Sequence, residues 1–321
     1  MKGTHSTDHR GNSNRCASCG VGLSGPWCSS CGERARRPGD ISLREYLGDL
    51  LEGLTNLNGR FWASLRALIV RPGLLTCEYM DGRRVLWMRP LHLFLFINLV
   101  YFLLASWDTF STPLQTHMTA ANFPHRAVAE RLVTERLDIG LSTERWHPII
   151  KSLLNGDVTD LDDEQLDVRG RLREYTLAFN RTGELLARSL VIVLIPLATL
   201  LLLPVGLLRR QSPPLTQLIL ATHWVAFLLI ASLVTGMLFE LVVRLNLMNF
   251  DPRQADLVVS LVLAALLSLW TMLAFRRVYQ FNWPIAVLLA VVISTIGTLA
   301  LIQTYRMVLF FAVHFSLRGV H

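Results

Sequence analysis

The chain has 321 residues, of which 52% are hydrophobic and 17% are charged, with a mean hydropathy of +0.40. Soluble domains carry about 25% charged residues, so this composition argues against an ordinary water-soluble protein. The net charge of +7 is compatible with nucleic acid or with an anionic membrane surface, and the long apolar runs favour the membrane.

Four cysteines cluster near the N-terminus in two copies of C-x-x-C-G: Cys16, Cys19, Cys28 and Cys31. Each copy brings two thiolates to one point, and its glycine accepts the turn. Together they supply the four donors of a tetrahedral site, so the sequence predicts a structural zinc ribbon over residues 16–37, with zinc as the cofactor. Iron is the alternative metal. The duplicated pattern argues against a redox pair, and two disulfides would require the N-terminus to be outside the cell.

The segments around the ribbon differ in character. Residues 1–15 are polar and are predicted to form a disordered tail. Residues 38–89 are predicted to form amphipathic helices on the cytoplasmic side or at the membrane interface, because apolar residues recur at helical spacing over 41–54 and 61–69. The Arg-Pro-Gly run at 71–73 should end the second pattern, since proline cannot continue the hydrogen-bond ladder.

The fold class predicted is an all-α membrane protein with about five transmembrane helices, preceded by the ribbon and the amphipathic helices. The apolar segments long enough to cross a bilayer are 90–107, 187–208, 217–243, 256–275 and 284–303. The last four should form a membrane bundle, which with its C-terminal tail occupies residues 187–321. Pro196 and Pro204 predict kinks in the second span. The tail after Arg306 is expected to lie along the membrane surface, because an arginine at a span centre costs about 2.5–3.5 kcal/mol.

The distribution of charge predicts an orientation. Residues 1–89 contain thirteen Lys and Arg against eight acidic residues, whereas residues 108–186 contain nine Lys and Arg against thirteen acidic residues. Basic segments stay on the cytoplasmic side, so the N-terminus should be inside and the partly helical 108–186 segment outside. Reduced thiols in the ribbon require the same side. The location predicted is the inner membrane of a bacterium, with several crossings.

The resemblance to a known family rests on a series of short runs. They are Ile41-Ser42-Leu43-Arg44-Glu45-Tyr46, Arg71-Pro72-Gly73, Glu78-Tyr79, Gly82-Arg83-Arg84, Arg89-Pro90, Thr222-His223-Trp224 and Arg276-Arg277-Val278-Tyr279. Their order resembles an uncharacterised bacterial family catalogued as domain of unknown function 3667, which similarly joins a zinc ribbon to such a block and several spans. The resemblance covers nearly the whole chain except 108–186. It implies an architecture and no activity.

Four polar residues outside the ribbon are candidates for function. Glu78 could act as an acid or base, although pairing with an arginine is favoured because no second catalytic group accompanies it. Arg83 and Arg84 could bind phospholipid headgroups, or could simply keep their face of the membrane cytoplasmic. His223 lies within a span, where a polar side chain often marks function, and is the best single candidate for a proton-linked or metal role. The alternative is a packing role near the membrane interface.

No catalytic residues are predicted, because the sequence contains no P-loop, G-x-G-x-x-G, H-E-x-x-H or G-x-S-x-G motif. The favoured function is therefore non-enzymatic, with the ribbon as a cytoplasmic protein-docking module in assembly, regulation or envelope maintenance. A proton- or solute-linked transporter or channel is the alternative, and a lipid-modifying enzyme comes third. The partners expected are the lipid bilayer and a protein at the ribbon. Nucleic acid is disfavoured, and assembly of several copies is left open.

Overall fold

The computed structural model of the chain describes residues 15–16, 18–32, 59–105, 110–120, 123–137, 163–208, 213–245 and 252–317. Several sequence predictions lie wholly or partly outside the described residues: the tail up to residue 14, the end of the ribbon after residue 32, the amphipathic pattern over 41–54 and residues 138–162 of the 108–186 segment. The fold below refers to the described ranges.

Helices make up nearly all of the regular structure in these ranges. In chain order they are α1 (Gly59–Val70), α2 (Leu74–Met80), α3 (Pro90–Leu104), α4 (Leu114–Thr119), α5 (Arg126–Arg136), α6 (Asp163–Leu190), α7 (Leu194–Leu207), α8 (Pro214–Arg244), α9 (Pro252–Val278), α10 (Trp283–Val292) and α11 (Thr298–Ser316). A 3-10 turn, Val191–Val193, joins α6 to α7, and a π-helical turn, Ile293–Gly297, joins α10 to α11. The prediction of an all-α membrane protein is confirmed.

Four of the helical stretches are long and apolar enough to cross a membrane. They are Asp167–Leu207, Pro214–Arg244, Leu257–Val278 and Trp283–Ser316, and they coincide with the second to fifth predicted spans. The first predicted span, 90–107, corresponds to α3, which has only 15 residues. At 1.5 Å per residue α3 is about 22 Å long, against a hydrocarbon core of about 30 Å. Within the described residues, four helices rather than five therefore meet the length criterion.

Side-chain exposure agrees with a membrane environment. Leu257, Leu261 and Leu269 of α9 are each more than half exposed. In water such a stripe of leucine side chains would be unfavourable, whereas in a bilayer it contacts lipid. The chain is accordingly an integral membrane protein that crosses the bilayer several times.

Helices extend beyond two of the predicted spans. Helix α6 runs into the second span from the polar segment. The 3-10 turn lies where Pro196 lacks the amide that would bond the Ile192 carbonyl. Beyond residue 303, where the last predicted span ends, α11 continues to Ser316. The predicted surface tail is therefore a helix, in which the Arg306 guanidinium lies 5.2 Å from the centroid of the Phe123 ring.

The chain forms two compact units. The first comprises Met1–Tyr101 with Ala198–Ser294, and the second comprises Phe102–Leu197 with Thr295–His321. In the first, α2 packs against α8 and α9. Tyr79 of α2 and Ile219 of α8 form a small buried cluster.

The turn between α1 and α2 is fixed by contacts with α9. The Trp270 indole donates a hydrogen bond to the Leu68 carbonyl over 2.7 Å, which satisfies a carbonyl left open at the end of α1. The Arg277 guanidinium donates to the Pro72 carbonyl over 2.6 Å. Gly73 has a left-handed φ of +77°, and a Cβ there would lie 3.0 Å from the Ala274 Cα. The Arg-Pro-Gly run thus ends α1, as predicted, and also brings two backbones together.

In the second unit, α6 and α11 pack side by side in opposite directions. The Tyr305 hydroxyl donates to the Ala187 carbonyl over 3.2 Å, and the Tyr175 hydroxyl lies 2.8 Å from His314 Nδ1. Helix α4 packs against α5 and α6. This arrangement encloses a group of rings from α4, α6, α11 and the residues just before α5.

Candidate functional site

Two tight turns position the cysteines of the ribbon. The Gly20 amide donates to the Cys16 carbonyl and the Gly32 amide to the Cys28 carbonyl, each over 2.9 Å. Both glycines have left-handed φ angles, +76° and +72°, which a residue with a Cβ adopts only with strain. The glycine that ends each C-x-x-C-G pattern is therefore required by the turn.

The four thiol groups converge on one point. The Sγ atoms of Cys16 and Cys31 are 3.4 Å apart, those of Cys19 and Cys28 are 3.5 Å apart, and all four lie within 4.8 Å of one another. A tetrahedral ion with sulfur ligands at about 2.3 Å requires sulfur–sulfur separations of about 3.8 Å. The observed separations bracket this value, and all five cysteines of the chain are free of disulfides. These residues fit a four-coordinate thiolate metal site.

The backbone around Cys28 favours its ionised form. Hydrogen bonds from the backbone of Cys31 and then of Ser30 lower the pKa of Cys28 to about 7, although burial acts in the opposite direction. The thiolate is the form that binds metal, so a substantial fraction of Cys28 is ready to do so near neutral pH. Trp27, the preceding residue, is 59% exposed, which is unusual for so large an aromatic side chain.

The candidates Glu78 and Arg83 form a tight ion pair. Arg83 donates from Nε and Nη2 to the two carboxylate oxygens of Glu78, over 2.7 Å each, and also contacts Asp81 over 2.9 Å. The Trp87 indole donates to Glu78 over 3.3 Å. The Arg83 hydrogen bonds hold the pKa of Glu78 below its usual range. Glu78 is therefore an ionised, fully engaged carboxylate that holds the end of α2 together.

Arg84 points back onto the same helix. Its Nε donates to the Tyr79 carbonyl over 3.3 Å, and its guanidinium lies 4.9 Å from the centroid of the Tyr79 ring. Tyr79 is itself buried in the first unit. Arg84 thus contributes to packing at the C-terminal end of α2, next to the Glu78–Arg83 pair.

His223 joins α8 to α2. Its Nδ1 lies 2.9 Å from the Thr76 hydroxyl, and the ring is 2% exposed. Its Nε2 is buried and has no hydrogen-bond partner in the described part of the chain. The two candidate regions that the sequence singled out separately, the block after Arg-Pro-Gly and His223, are therefore in direct contact.

Sequence reasoning missed a pair of buried histidines in the second unit. His117 Nδ1 and His125 Nε2 are 2.9 Å apart, and both rings pack against Phe310 of α11. Neither histidine belongs to a recognisable motif, and only the fold of α4 against α5 brings them together. The sequence signal was the presence of two histidines eight residues apart. That signal is too weak to distinguish from chance.

Comparison with known proteins gives one match. Residues 58–102 match the model of the family described as Protein of unknown function (DUF3667). No curated protein and no solved structure matches the chain. The matched segment contains α1, α2, the Glu78–Arg83 pair and most of α3, so it is the part that packs against α8 and α9. Over residues 58–102, the resemblance to domain of unknown function 3667 is confirmed, and the chain is an integral membrane protein with a segment that is similar to this family.

Proposed function

We propose that this chain is a non-enzymatic protein of a bacterial inner membrane whose four-cysteine site binds zinc and whose ribbon docks a protein partner in the cytoplasm. The observation that carries the proposal is the convergence of four sulfur atoms within 4.8 Å beside an exposed tryptophan. The role would be in assembly, regulation or maintenance of the envelope.

The ligand set favours zinc with a structural role. Four cysteine ligands complete a tetrahedral shell and leave no position for water or substrate, which is typical of structural zinc. The ribbon is too short to bury a core of its own. Metal binding, which contributes about 10–16 kcal/mol in comparable peptides, would therefore supply its stability.

Three observations support a cytoplasmic N-terminus. Thiolates that bind metal persist in a reducing compartment. The first 89 residues are strongly basic. In addition, the Arg277–Pro72 hydrogen bond brings the basic end of α9 against the turn between α1 and α2, so that basic residues from distant parts of the sequence share one end of the first unit. Basic residues gathered at one end are expected if that end of the unit lies on the cytoplasmic side of the membrane.

The proposal of docking rests on the exposed surface of the ribbon. A closed metal site performs no chemistry on a substrate, so its use lies in the surface that it holds in shape. Trp27 is a side chain of the kind that dominates protein interfaces, where a large exposed ring is buried by the partner. The basic residues beside the ribbon could bind nucleic acid, but they also suit anionic lipid, and base-stacking partners for Trp27 are not evident in the sequence around it.

Metal analysis tests the first half of the proposal. The purified protein should contain one zinc ion per chain, and Cys19→Ser should lose it, because three thiolates bind far more weakly than four. Cys77→Ser is the matched control, since this fifth cysteine lies outside the ribbon, and it should retain full zinc. Iron in place of zinc, or full zinc in Cys19→Ser, would contradict the four-thiolate zinc site.

Site-specific crosslinking tests the second half. A photoreactive residue at position 27 should give one discrete, stoichiometric crosslink to a cytoplasmic protein in living cells. The same residue in a Cys19→Ser background should give none, because the surface depends on the metal. A crosslink that persists without the metal, or crosslinks only to lipid, would refute docking by the ribbon.

His223 favours the second candidate, proton-linked transport. It is a buried imidazole inside a span, with one ring nitrogen lacking a partner among the described residues. If the bundle moves protons or solutes, His223→Ala should abolish uptake by reconstituted vesicles while deletion of residues 1–37 has little effect. If docking is the function, Cys19→Ser should abolish the crosslink from position 27 and His223→Ala should leave it intact.

A further inference from the structure

The turn between α9 and α10 contains a cavity that the proposed function does not use. It has a volume of about 560 Å³ and is lined by Arg276, Gln280, Phe281, Asn282, Trp283 and Pro284. Cationic, amide and aromatic side chains therefore share one small open space. This combination suits a ligand that has an anionic group and a hydrocarbon portion.

Arg276 is held in place by an aromatic ring. Its Cζ lies 3.6 Å from the centroid of the Trp283 ring, a short distance for a cation–π contact. Stacking uses the face of the guanidinium and leaves its N–H donors, which lie in the plane of the group, available to an acceptor. None of the described residues forms an ion pair with Arg276. The positive charge in this cavity is therefore positioned, but it is not neutralised by any residue that the structure describes.

The neighbouring arginine behaves differently. Arg277 donates to the Pro72 carbonyl over 2.6 Å, and the carbonyl of Arg277 lies 3.8 Å from Cys77 Sγ. These contacts give Arg277 a structural role in joining α9 to the first turn of α2. Of the two adjacent cations, only Arg276 points into the cavity.

The cavity lies where phospholipid headgroups would be. One membrane-spanning helix ends at Val278 and the next begins at Trp283, so the turn between them is at the boundary of the bilayer. From the cavity, the exposed side chains of Ile285, Leu288 and Val292 run along α10 at intervals of three and four residues. A phosphate bound by Arg276 would leave its acyl chains in contact with this apolar stripe.

We propose that the α9–α10 turn binds the phosphate of an anionic phospholipid, with Arg276 as the phosphate ligand and Trp283 as the residue that positions Arg276. An arginine aimed into a headgroup-level cavity forms charge-assisted hydrogen bonds that a zwitterionic lipid, with its own cation beside the phosphate, satisfies less well. Free inorganic phosphate shares the recognised chemistry, but it would make no use of the apolar stripe.

Native mass spectrometry of the full chain in detergent tests the site. The protein is titrated with phosphatidylglycerol and, separately, with phosphatidylcholine, and the bound lipids are counted. The wild type should prefer phosphatidylglycerol, and Arg276→Gln should reduce that preference roughly fivefold, the effect of about one interfacial arginine. Trp283→Leu, which retains the charge but removes the stack, should reduce the preference by a smaller factor.

Arg60→Gln is the matched control, because it removes the same charge from an exposed position on α1 of the same unit. It should leave the preference unchanged. An equal reduction in both arginine variants, or no reduction in Arg276→Gln, would overturn the site. Displacement of phosphatidylglycerol by excess inorganic phosphate would overturn the choice of lipid as the ligand. Comparison of thermal unfolding among the variants distinguishes a lost site from a misfolded protein.

Discussion

At the scale of single residues, burial decides what each titratable group can do. Glu78 is ionised because Arg83 forms two hydrogen bonds with it, and the same contacts remove it from consideration as an acid. The histidine pair of the second unit is in the opposite situation. His117 is completely buried among Phe123, Phe179 and Phe310.

This environment makes the second unit sensitive to acid. Burial, together with the nearby charges of His125 and Arg306, lowers the pKa of His117 to about 3, and burial lowers the pKa of His125 as well. The unfolded chain therefore binds more protons below an ordinary histidine pKa of about 6.5. The stability that neutral His117 contributes is complete above that pH and is lost as the pH falls from about 6.5 towards 3, at roughly 1.4 kcal/mol per pH unit.

Thermal unfolding of the full chain in detergent should show this loss. Between pH 6.5 and pH 5 the unfolding temperature of the wild type should decrease, and the decrease should be smaller in His117→Gln because an amide does not titrate. An unfolding temperature that is constant over this interval, or an undiminished decrease in His117→Gln, would contradict the assignment.

The sequence reveals the residues of a site only when their spacing along the chain is enough to bring them together. The four ribbon cysteines were predictable because two local turns bring them together, and a local turn can be read from its glycines. His117 and His125 were not, because α4, α5, α6 and α11 must all pack before the pair is buried. The Arg276–Trp283 contact was likewise not predictable as a site, although both residues lie just outside the predicted spans 256–275 and 284–303.

At the scale of elements, the apolar content of the helices was predictable and their ends were not. A hydropathy window ends where charges begin, whereas backbone hydrogen bonds do not depend on side-chain charge. Helix α6 therefore continues from a polar segment into a span, and α11 continues past Arg306. The short helices of the matched family segment owe their positions to specific contacts, of which the turn at Gly73 is the tightest.

Gly73→Ala should destabilise the first unit. The added methyl group would lie 3.0 Å from the Ala274 backbone. The alanine would also have to adopt the left-handed φ of +77° that Gly73 has. The left-handed conformation alone costs about 1–2 kcal/mol for a residue with a Cβ, and the contact adds to it. Displacement of α2 would also weaken the Thr76–His223 hydrogen bond. The unfolding temperature in detergent should therefore decrease clearly.

Gly170→Ala is the matched control for that substitution. Gly170 lies inside α6, where an added Cβ meets nothing within 4 Å. Alanine is preferred over glycine in a helix by about 0.5–1 kcal/mol, so this variant should be neutral or slightly more stable. If both variants behave alike, the close approach of the Gly73 turn to α9 is not important for stability.

At the scale of the whole molecule, the orientation depends on whether α3 crosses the membrane. If all five apolar helices cross and the N-terminus is inside, the loops that follow Leu208 and Val278 are cytoplasmic. Those loops adjoin the pairs Arg209-Arg210 and Arg276-Arg277. If α3 does not cross, the same loops are outside, which opposes the rule that basic residues stay in the cytoplasm.

Helix α3 is about 8 Å shorter than the hydrocarbon core is thick, and such a mismatch costs fractions of a kcal/mol per Å. Local thinning of the bilayer can accommodate the shorter helix. Trp87 and Trp107, which flank the apolar segment in the sequence, can anchor it at the two membrane interfaces.

We therefore expect five crossings, and reporter fusions can test the expectation directly. Fusions after Arg210 and Arg277 should report the cytoplasm, whereas fusions at Gly156 and at the C-terminus should report the outside. A fusion immediately before Pro90 should report the cytoplasm whichever way α3 lies, which makes it the internal control. If α3 remains on the cytoplasmic side, the fusions at 156 and at the C-terminus report the cytoplasm and those after 210 and 277 report the outside. All four readings would invert together in that case. This result would establish four crossings and would also place the His117–His125 pair in the cytoplasm.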